Sequence, residues 1–365
     1  MPAEISVLDL FAGAGGLTAG FREASERFRT TRAVEWDQAA AATYEATYGS
    51  GTVYVGDIKT WLAEEDIPAA DIIIGGPPCQ GFSSLGKKDV EDERNLLWLE
   101  YARTILRAMP RYFVIENVVE FSKSPQYVLL REATQRGGLI SDYAFESSVL
   151  NAADFGAPQA RKRTVIIGYR RDLGFPGLPS QTHSATPAKD GLQPHRTVAQ
   201  ALRRVPPSPD RDDVFESKRT EFNGRRFAGA FRLREMHWSR NYTTLSRQRF
   251  LVIPPGGNRR SLEAYPELMS PCWSKHKTGS GDVMGRLHWD RPSVTIRTEF
   301  FKPEKGRYLH PVEHRAITHY EAALLQGFGK GHRFVGSRTD IARQIGNAVP
   351  IPLGAAIGRT LLAMF

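Results

Sequence analysis

A thiol that follows two glycines and two prolines is the side chain of this 365-residue sequence best suited to covalent chemistry. Cys79 closes the run Ile72-Ile-Ile-Gly75-Gly76-Pro77-Pro78-Cys79, and so stiff a segment at the carboxyl end of a strand holds a side chain toward a ligand. A thiolate is a strong nucleophile once neighbouring positive charge lowers its pKa, whereas an isolated cysteine is more often a small buried apolar residue. Glu116 ends the run Tyr112–Glu116 and is of a type suited to proton transfer; the plainer reading is a carboxylate capping a strand end beside an arginine. Asp9-Leu-Phe-Ala-Gly13-Ala-Gly15-Gly16 is a turn that lets the backbone approach a ligand, although Thr18 stands where a third glycine would complete G-x-G-x-x-G. Such a loop alone is often just a turn, but Glu35 lies 20 residues past Gly15, the spacing of a carboxylate that binds ribose hydroxyls. Trp36 offers a flat face to an adenine, and Asp57 an acceptor for its amino group. With no basic side chain near the loop to meet a pyrophosphate, S-adenosylmethionine fits without strain, while NAD stays open on these residues alone.

Positioning these groups requires elements that end where they stand. Ile5–Leu10, Thr31–Glu35, Asp71–Gly75, Tyr112–Glu116 and Thr164–Tyr169 read as strands buried on both faces, and Leu17–Arg27, Gln38–Tyr48, Leu96–Arg107 and Gln126–Arg136 as helices between them. The alternation predicts an α/β fold with a doubly wound, mostly parallel sheet, whose ligands sit at the carboxyl ends of the strands. From about Gly174 the texture turns to Pro, Gly, Ser and Arg, which predicts a second, smaller, loop-rich domain. Thr318-His-Tyr-Glu321 reads as a capping box for a helix ending near Gly327, and a last helix at about Leu353–Phe365 has an apolar stripe to bury on the N-terminal sheet. The expected division is therefore a discontinuous domain of residues 1–175 and 287–365 around a domain of residues 176–286.

Composition narrows the partners. A net charge of +9 suggests a polyanion, and most of it is concentrated: between Gln200 and Arg260, 14 Lys and Arg face 6 Asp and Glu. Phe215, Phe222, Phe227, Phe231, Trp238 and Tyr242 are interleaved there. Phosphate contact combined with base contact suits such a mixture, and so does a solvated basic surface with a small core of its own. The only cysteines are Cys79 and Cys272, far apart, and the start of the chain lacks a signal-peptide pattern, so a reducing cytoplasm is expected. No stretch reaches the length of a membrane span, so no membrane is expected, and none of the nine histidines has a metal-binding spacing, so no metal is expected.

Asp9–Gly16, Pro77-Pro78-Cys79-Gln80, Glu116-Asn117-Val118, Gln159-Ala-Arg161-Lys-Arg163, Arg291-Pro-Ser-Val-Thr-Ile-Arg297 and Gln344-Ile-Gly-Asn347-Ala348-Val349-Pro350 occur in that order. Together they closely resemble the ordered motifs of the cytosine-C5 DNA methyltransferases, over everything but roughly residues 176–286, where that family keeps its variable target-recognition region. The resemblance implies a Rossmann-like, S-adenosylmethionine-dependent enzyme that methylates C5 of a cytosine flipped out of duplex DNA and releases S-adenosylhomocysteine. Cys79 is then the nucleophile adding to C6, Glu116 the acid at N3, Arg163 the residue on the cytosine O2, and Arg161 the residue that fixes the acid and its loop. Phe11, Gly13, Gly15, Gly16, Leu17, Glu35, Trp36, Asp57, Ile58, Pro78, Leu97, Asn347, Ala348 and Val349 are implied cofactor contacts, with Ala348 replacing a frequent serine. Gln80, Ser83, Lys87 and Lys88, in a loop over the flipped base, join Gln159, Arg225, Arg226, Arg240 and Arg297 as implied DNA contacts. The short chain is most like bacterial restriction-modification members, acting as monomers, for which a cognate restriction endonuclease on the same site is the accompanying partner. A tRNA-methylating relative is the nearest rival, but its Cys-Phe-Thr signature is absent, since Cys272 is followed by Trp273 and Ser274. An inactive DNA-binding relative would have lost the thiol, the acid or the glycine loop, and a nicotinamide oxidoreductase leaves the Pro-Pro-Cys and Glu-Asn-Val motifs unexplained.

Overall fold

Runs of Ile, Val and Leu with no polar face leave a strand nowhere to lie but inside a sheet covered on both sides, and the molecule is built around such a sheet. The computed structural model describes residues 3–78, 97–209, 218–275 and 281–365. Its strands are β1 (Ile5–Leu10), β2 (Phe28–Glu35), β3 (Val53–Val55), β4 (Ile72–Gly75), β5 (Tyr112–Asn117), β6 (Tyr143–Asn151) and β7 (Lys162–Arg170), in the order β3-β2-β1-β4-β5-β7-β6. Strands β1 to β5 pair in parallel, while β7 runs antiparallel to both β5 and β6. The sheet is therefore mostly parallel, as expected. The direction of Thr164–Tyr169 is not legible in its composition, because an aliphatic run reads alike in both directions. The chain leaves β1 toward β2 and β3 and returns on its other side at β4, so the winding reverses between β1 and β4, where open sheets of this kind leave a crevice.

One face of the sheet is covered by α3 (Ile58–Glu64), α4 (Leu97–Ala108) and α5 (Pro125–Ala133); Trp61, Tyr101 and Ile105 are fully buried there against Leu8, Ile73 and Phe113. The other face is covered by α1 (Gly16–Ala24) and the chain's last helix, whose Leu353, Ile357 and Leu361 meet Ile5, Val7, Ile74 and Val114. Each such aliphatic side chain contributes about 1.5–3 kcal/mol when fully buried. The two helices approach so closely that a Cβ on Gly20 would lie 2.6 Å from the Cα of Gly354, which only glycine permits. The helix α2 (Gln38–Tyr48) stands beside β3 and the C-terminal strand described below.

Beyond β7 the elements are short: β8 (His183–Ser184), α6 (Pro187–Asp190), β9 (Gln193–Pro194), α7 (Val198–Leu202), the hairpin β10 (Arg219–Phe222) and β11 (Arg225–Arg232), α8 (Thr244–Val252) and α9 (Pro271–Lys275). The C-terminal part adds α10 (His319–Gln326), β12 (Arg333–Val335), α11 (Arg338–Asn347) and α12 (Ile351–Leu362). The capping box at Thr318 and Glu321 opens α10, and Gly327 closes it with φ 90°. Strand β11 pairs with β12, and Phe231, Leu233, Met236 and Trp238 share a core with Ile296, Phe300, Ile341 and Ile345. Residues 218–238 are thus sewn to the C-terminal elements, while Phe250, Ile253, Leu262, Leu268, Met284 and Leu309 form a separate small core. Among the described residues no helix is long and apolar enough to cross a membrane.

Candidate active site

The loop after β1 reverses direction through left-handed backbone. Phe11, Gly13 and Gly15 have φ of 56°, 55° and 77°, and a side chain at Phe11 in that region is a strain that accumulates where ligands bind. The turn is tied to β2 by Glu35, whose Oε2 accepts the Gly13 N–H at 2.7 Å and whose Oε1 accepts the Asp37 N–H at 2.7 Å. Glu35 is buried, and burial pushes its carboxyl up to about 7 against those two N–H groups. Nothing occupies the space where a Cβ of Gly13 would point, and next to Glu35 the Trp36 indole is 77% exposed. An open glycine flanked by a carboxylate and a bare aromatic face fits an adenosine. Asp57 is exposed and caps α3 by accepting the Lys59 N–H at 2.7 Å, whereas Ile58 behind it belongs to the sheet core.

The missing third glycine now has a reason. Thr18 donates its hydroxyl to Asp9 Oδ2 at 2.6 Å and lies 2.9 Å from the Tyr44 hydroxyl, all within the core. Asp9, at the end of β1, is likewise raised to about 7, chiefly by burial, with the Thr18 hydrogen bond opposing and the Glu35 charge adding. Tyr48, one turn after Tyr44, donates to the Gly15 carbonyl at 2.7 Å. Sequence reasoning passes over Tyr44 and Tyr48; their i, i+4 spacing beside a buried threonine is the available signal. Leu17 is buried under the loop, and a Cβ on Gly16 would come within 3.0 Å of both the Ala348 Cβ and the Val349 carbonyl. The first and last motifs, more than 330 residues apart in sequence, are therefore in contact. Asn347 beside them is exposed at the end of α11, and Leu97 is half-buried at the start of α4.

Across the crevice, β4 and β5 end together. Asn117 donates its Nδ2 to the Pro77 carbonyl at 2.9 Å, and a Cβ on Gly76 would lie 3.3 Å from Glu116 Oε2, so the Gly-Gly-Pro-Pro segment is pressed against the carboxylate. Pro77 is buried and Pro78 half-buried. Glu116 is paired with Arg163, Nε to Oε1 at 3.0 Å, with both side chains largely buried. The ion-pair partner of the acid is Arg163, and the Glu116 charge acts on Arg161 as well. Arg161 donates to the Ile296 carbonyl at 3.0 Å, and burial, reinforced by Arg163, lowers its guanidinium to about 9. Cys79, Gln80, Ser83, Lys87 and Lys88 lie outside the described residues, as does Phe215.

The expected DNA contacts divide. Gln159 does not face a ligand: it is fully buried, donates to Gln326 Oε1 at 2.8 Å and accepts the Ile296 N–H at 2.8 Å. Its amide rivets three segments together, so its place in an Arg-rich motif misleads. Arg297 is exposed, bonded to the Tyr308 hydroxyl and the Lys305 carbonyl at 3.0 Å each. Arg240 donates to the Phe301 carbonyl at 3.2 Å and lies over the rings of Tyr242 and Phe301. Arg225 and Arg226 are exposed to solvent at the hairpin tip. Of the interleaved aromatics, Phe231 and Trp238 are buried in the core rather than offered to bases. For those two the plainer reading of the basic segment holds.

The family model for C-5 cytosine-specific DNA methylases matches residues 5–363. The Type II methyltransferase M1.HphI of Haemophilus parahaemolyticus is 32% identical over 99% of this chain and 87% of its own length. M.NgoFVII of Neisseria gonorrhoeae, also a Type II methyltransferase, is 31% identical over 98% of this chain and 87% of its own. In three dimensions a prophage-encoded DNA modification methyltransferase of E. coli superposes with a TM-score of 0.68 at 24% identity, covering 99% of both chains. The Dnmt2 methyltransferase of S. pombe superposes at 0.57 with 16% identity over 99% of both, a likeness of fold.

Proposed function

This chain belongs to the C-5 cytosine-specific DNA methylase family and is a DNA cytosine-5-methyltransferase; from that premise we propose that it works through a covalent bond between Cys79 and C6 of a flipped-out cytosine. The observation that carries the reading is the Glu116–Arg163 pair, set against the Gly76-Pro77 backbone that leads to Cys79 and facing the glycine loop across the crevice. C5 of cytosine is a poor nucleophile. Addition of the Cys79 sulfur at C6 moves electron density onto C5 and N3, so a proton or hydrogen bond is needed at N3. Glu116 supplies it and also accepts from the exocyclic amino group, while Arg163, already on the carboxylate, turns its remaining N–H groups to O2. Loss of the C5 proton to a base and departure of the thiolate restore the aromatic ring.

S-adenosylmethionine supplies, when bound, a methyl group activated by its sulfonium. Gly13, Gly15 and Gly16 with Phe11 and Leu17 shape its bed, Glu35 and Asp57 take its ribose and adenine, Trp36, Ile58, Pro78 and Leu97 border it, and Asn347, Ala348 and Val349 close the far side. Residues 1–175 and 287–365 make up this catalytic unit, and residues 176–286 the unit that reads duplex DNA. Gln80, Ser83, Lys87, Lys88, Arg225, Arg226, Arg240 and Arg297 contact that DNA; the cytoplasm is the compartment, the enzyme a monomer, and a cognate endonuclease its partner. The Type II names of its relatives favour the last of these.

DNA carrying 5-fluorocytosine at the target tests the reading, because fluorine at C5 cannot leave as a proton would. A band of protein joined to DNA on a denaturing gel, lost in Cys79→Ala while S-adenosylhomocysteine still binds that variant, is the expected result. Normal methylation by Cys79→Ala would refute the nucleophile.

A further inference from the structure

The hairpin β10–β11 belongs to the stretch assigned to DNA recognition, yet its Phe222 is docked on the cofactor half. Asn223 and Gly224, with φ of 47° and 70°, make the tight two-residue turn that suits a right-twisted hairpin and pairs Phe222 with Arg225. Phe222 packs against the small cluster of Ala33, Ala41, Tyr44 and Val53, and Ala12, Tyr48 and Val55 pack against the same cluster. Ala12 lies in the glycine loop. The two tyrosines press on that loop directly: a Cβ on Gly15 would lie 2.3 Å from the Tyr48 ring and 3.0 Å from the Tyr44 ring. Their rings are 4.6 Å apart, and Tyr48 holds the Gly15 carbonyl. The hairpin cannot swing away easily, since β11 pairs with β12, whose Val335 N–H is held by Thr43 of α2 at 2.8 Å.

We propose that Phe222 is a positioning residue for the methyl donor, buttressing the Tyr44–Tyr48 pair that keeps the glycine loop in its binding shape. The inference rests on the reading of Asp9–Gly16 and Glu35 as the donor site. Removing the ring takes away an apolar contact of the cluster on which the tyrosine pair rests, so the loop samples other conformations and the binding-competent fraction falls. Glu116 and Arg163 lie on the other side of the crevice and are untouched.

The test uses the full chain, with calorimetric titration of S-adenosylhomocysteine in the absence of DNA and steady-state kinetics with S-adenosylmethionine. Phe222→Ala is expected to raise the Kd and the donor KM about five- to tenfold, the size of an ordinary coupling between sites. Turnover at saturating donor and DNA should stay within about twofold, the signature of lost ground-state binding. Phe222→Leu, which keeps an apolar filler, should recover most of the affinity. A Phe222→Ala protein with lower turnover and unchanged donor KM would overturn the inference, since a merely damaged fold lowers the active fraction and leaves affinity alone. Glu35→Gln separates the two readings. If it weakens binding and Phe222→Ala does not, the donor site stands and the role of Phe222 falls; if it leaves the Kd unchanged, both fall.

Discussion

The sheet half and the loop-rich half put their buried charge to different uses. Beside the crevice three carboxyls are buried, Asp9, Glu35 and Glu116, together with the Arg161 guanidinium. Asp9 and Glu35 have no ion-pair partner among the described residues, and burial raises both to about 7. In the loop-rich half and its C-terminal neighbours three arginines are buried, Arg259, Arg286 and Arg315, the last with its partner Glu321. Arg286 donates to the carbonyls of Phe250, Ile253, His310 and Glu313, and Arg315 binds Glu321 through both oxygens at 2.8 Å each. Strands satisfy their own carbonyls, so the sheet itself needs no such donors. Irregular chain leaves carbonyls over, and a guanidinium with five N–H groups is the most economical way to serve them. Arg259 and Arg286 belong to residues 176–286, so part of the basicity of that stretch is structural.

The largest effect that could break this contrast is on stability. Arg286→Met keeps most of the volume but leaves four carbonyls without a donor, and a buried acceptor left unsatisfied costs about 1–3 kcal/mol. Urea unfolding should show the drop in midpoint with an unchanged slope. A loss under about 1 kcal/mol would mean that water serves those carbonyls as well as the arginine does.

A smaller effect, of opposite sign, belongs to Glu35. Its carboxyl is raised from 4.5 to about 7, so the folded chain holds a proton there that the unfolded chain has released. The stability contributed by that proton is complete below about 4.5, declines as pH rises toward 7 and is gone above it. Asp9, raised from 3.8 to about 7, adds in the same sense. Glu35→Gln removes its share, so the variant should gain stability over the parent at pH 8 and not at pH 4. Donor affinity should show the reverse cost. A ribose hydroxyl is accepted best by the ionised carboxylate, of which about a tenth remains one pH unit below the pKa, so the parent Kd should weaken about tenfold from pH 8 to pH 6. Titration calorimetry at both pH values checks this, with Glu35→Gln expected to be weak and flat. A parent Kd independent of pH would show that Glu35 does not titrate in this range.

How much of this is legible in the sequence follows from the same contrast. Motifs at the ends of β1, β2, β4 and β5 can be read because aliphatic runs announce their strands and the residue after each run carries the chemistry. Ile58–Glu64 and Arg338–Asn347 do not announce themselves as helices, since one is short and the other polar on most of its surface. Tyr143–Asn151 escapes as well, because its outward side chains at the sheet edge break the apolar run. Gln159 is misassigned and Phe222 unassigned for a common reason. Each acts through residues more than 130 positions away in sequence, Ile296 and Gln326 for the first and Ala12 to Val55 for the second, and local pattern carries no record of such partners.

The smallest expected effect asks which arginines remain for DNA once the structural ones are set aside. Arg225 and Arg226 stand in solvent at the tip of the hairpin, and the one nearby carboxylate among the described residues, Glu221, is 3.9 Å from Arg226 with both side chains exposed. Exposed pairs of this kind contribute little, so replacing both arginines by glutamine should leave stability within about 0.5 kcal/mol. If the tip lies along the duplex, the plot of log affinity against log salt should flatten by about 0.9 for each phosphate that the variant no longer neutralises. Filter binding at several salt concentrations measures it. Arg286→Met, assayed at a temperature where it is folded, should leave the slope alone, because its guanidinium is committed to carbonyls. An unchanged slope for the tip variant would remove Arg225 and Arg226 from the DNA surface and leave the hairpin with its cofactor side only; a shallower slope for Arg286→Met would erase the distinction between arginines that hold the chain and arginines that meet the phosphates.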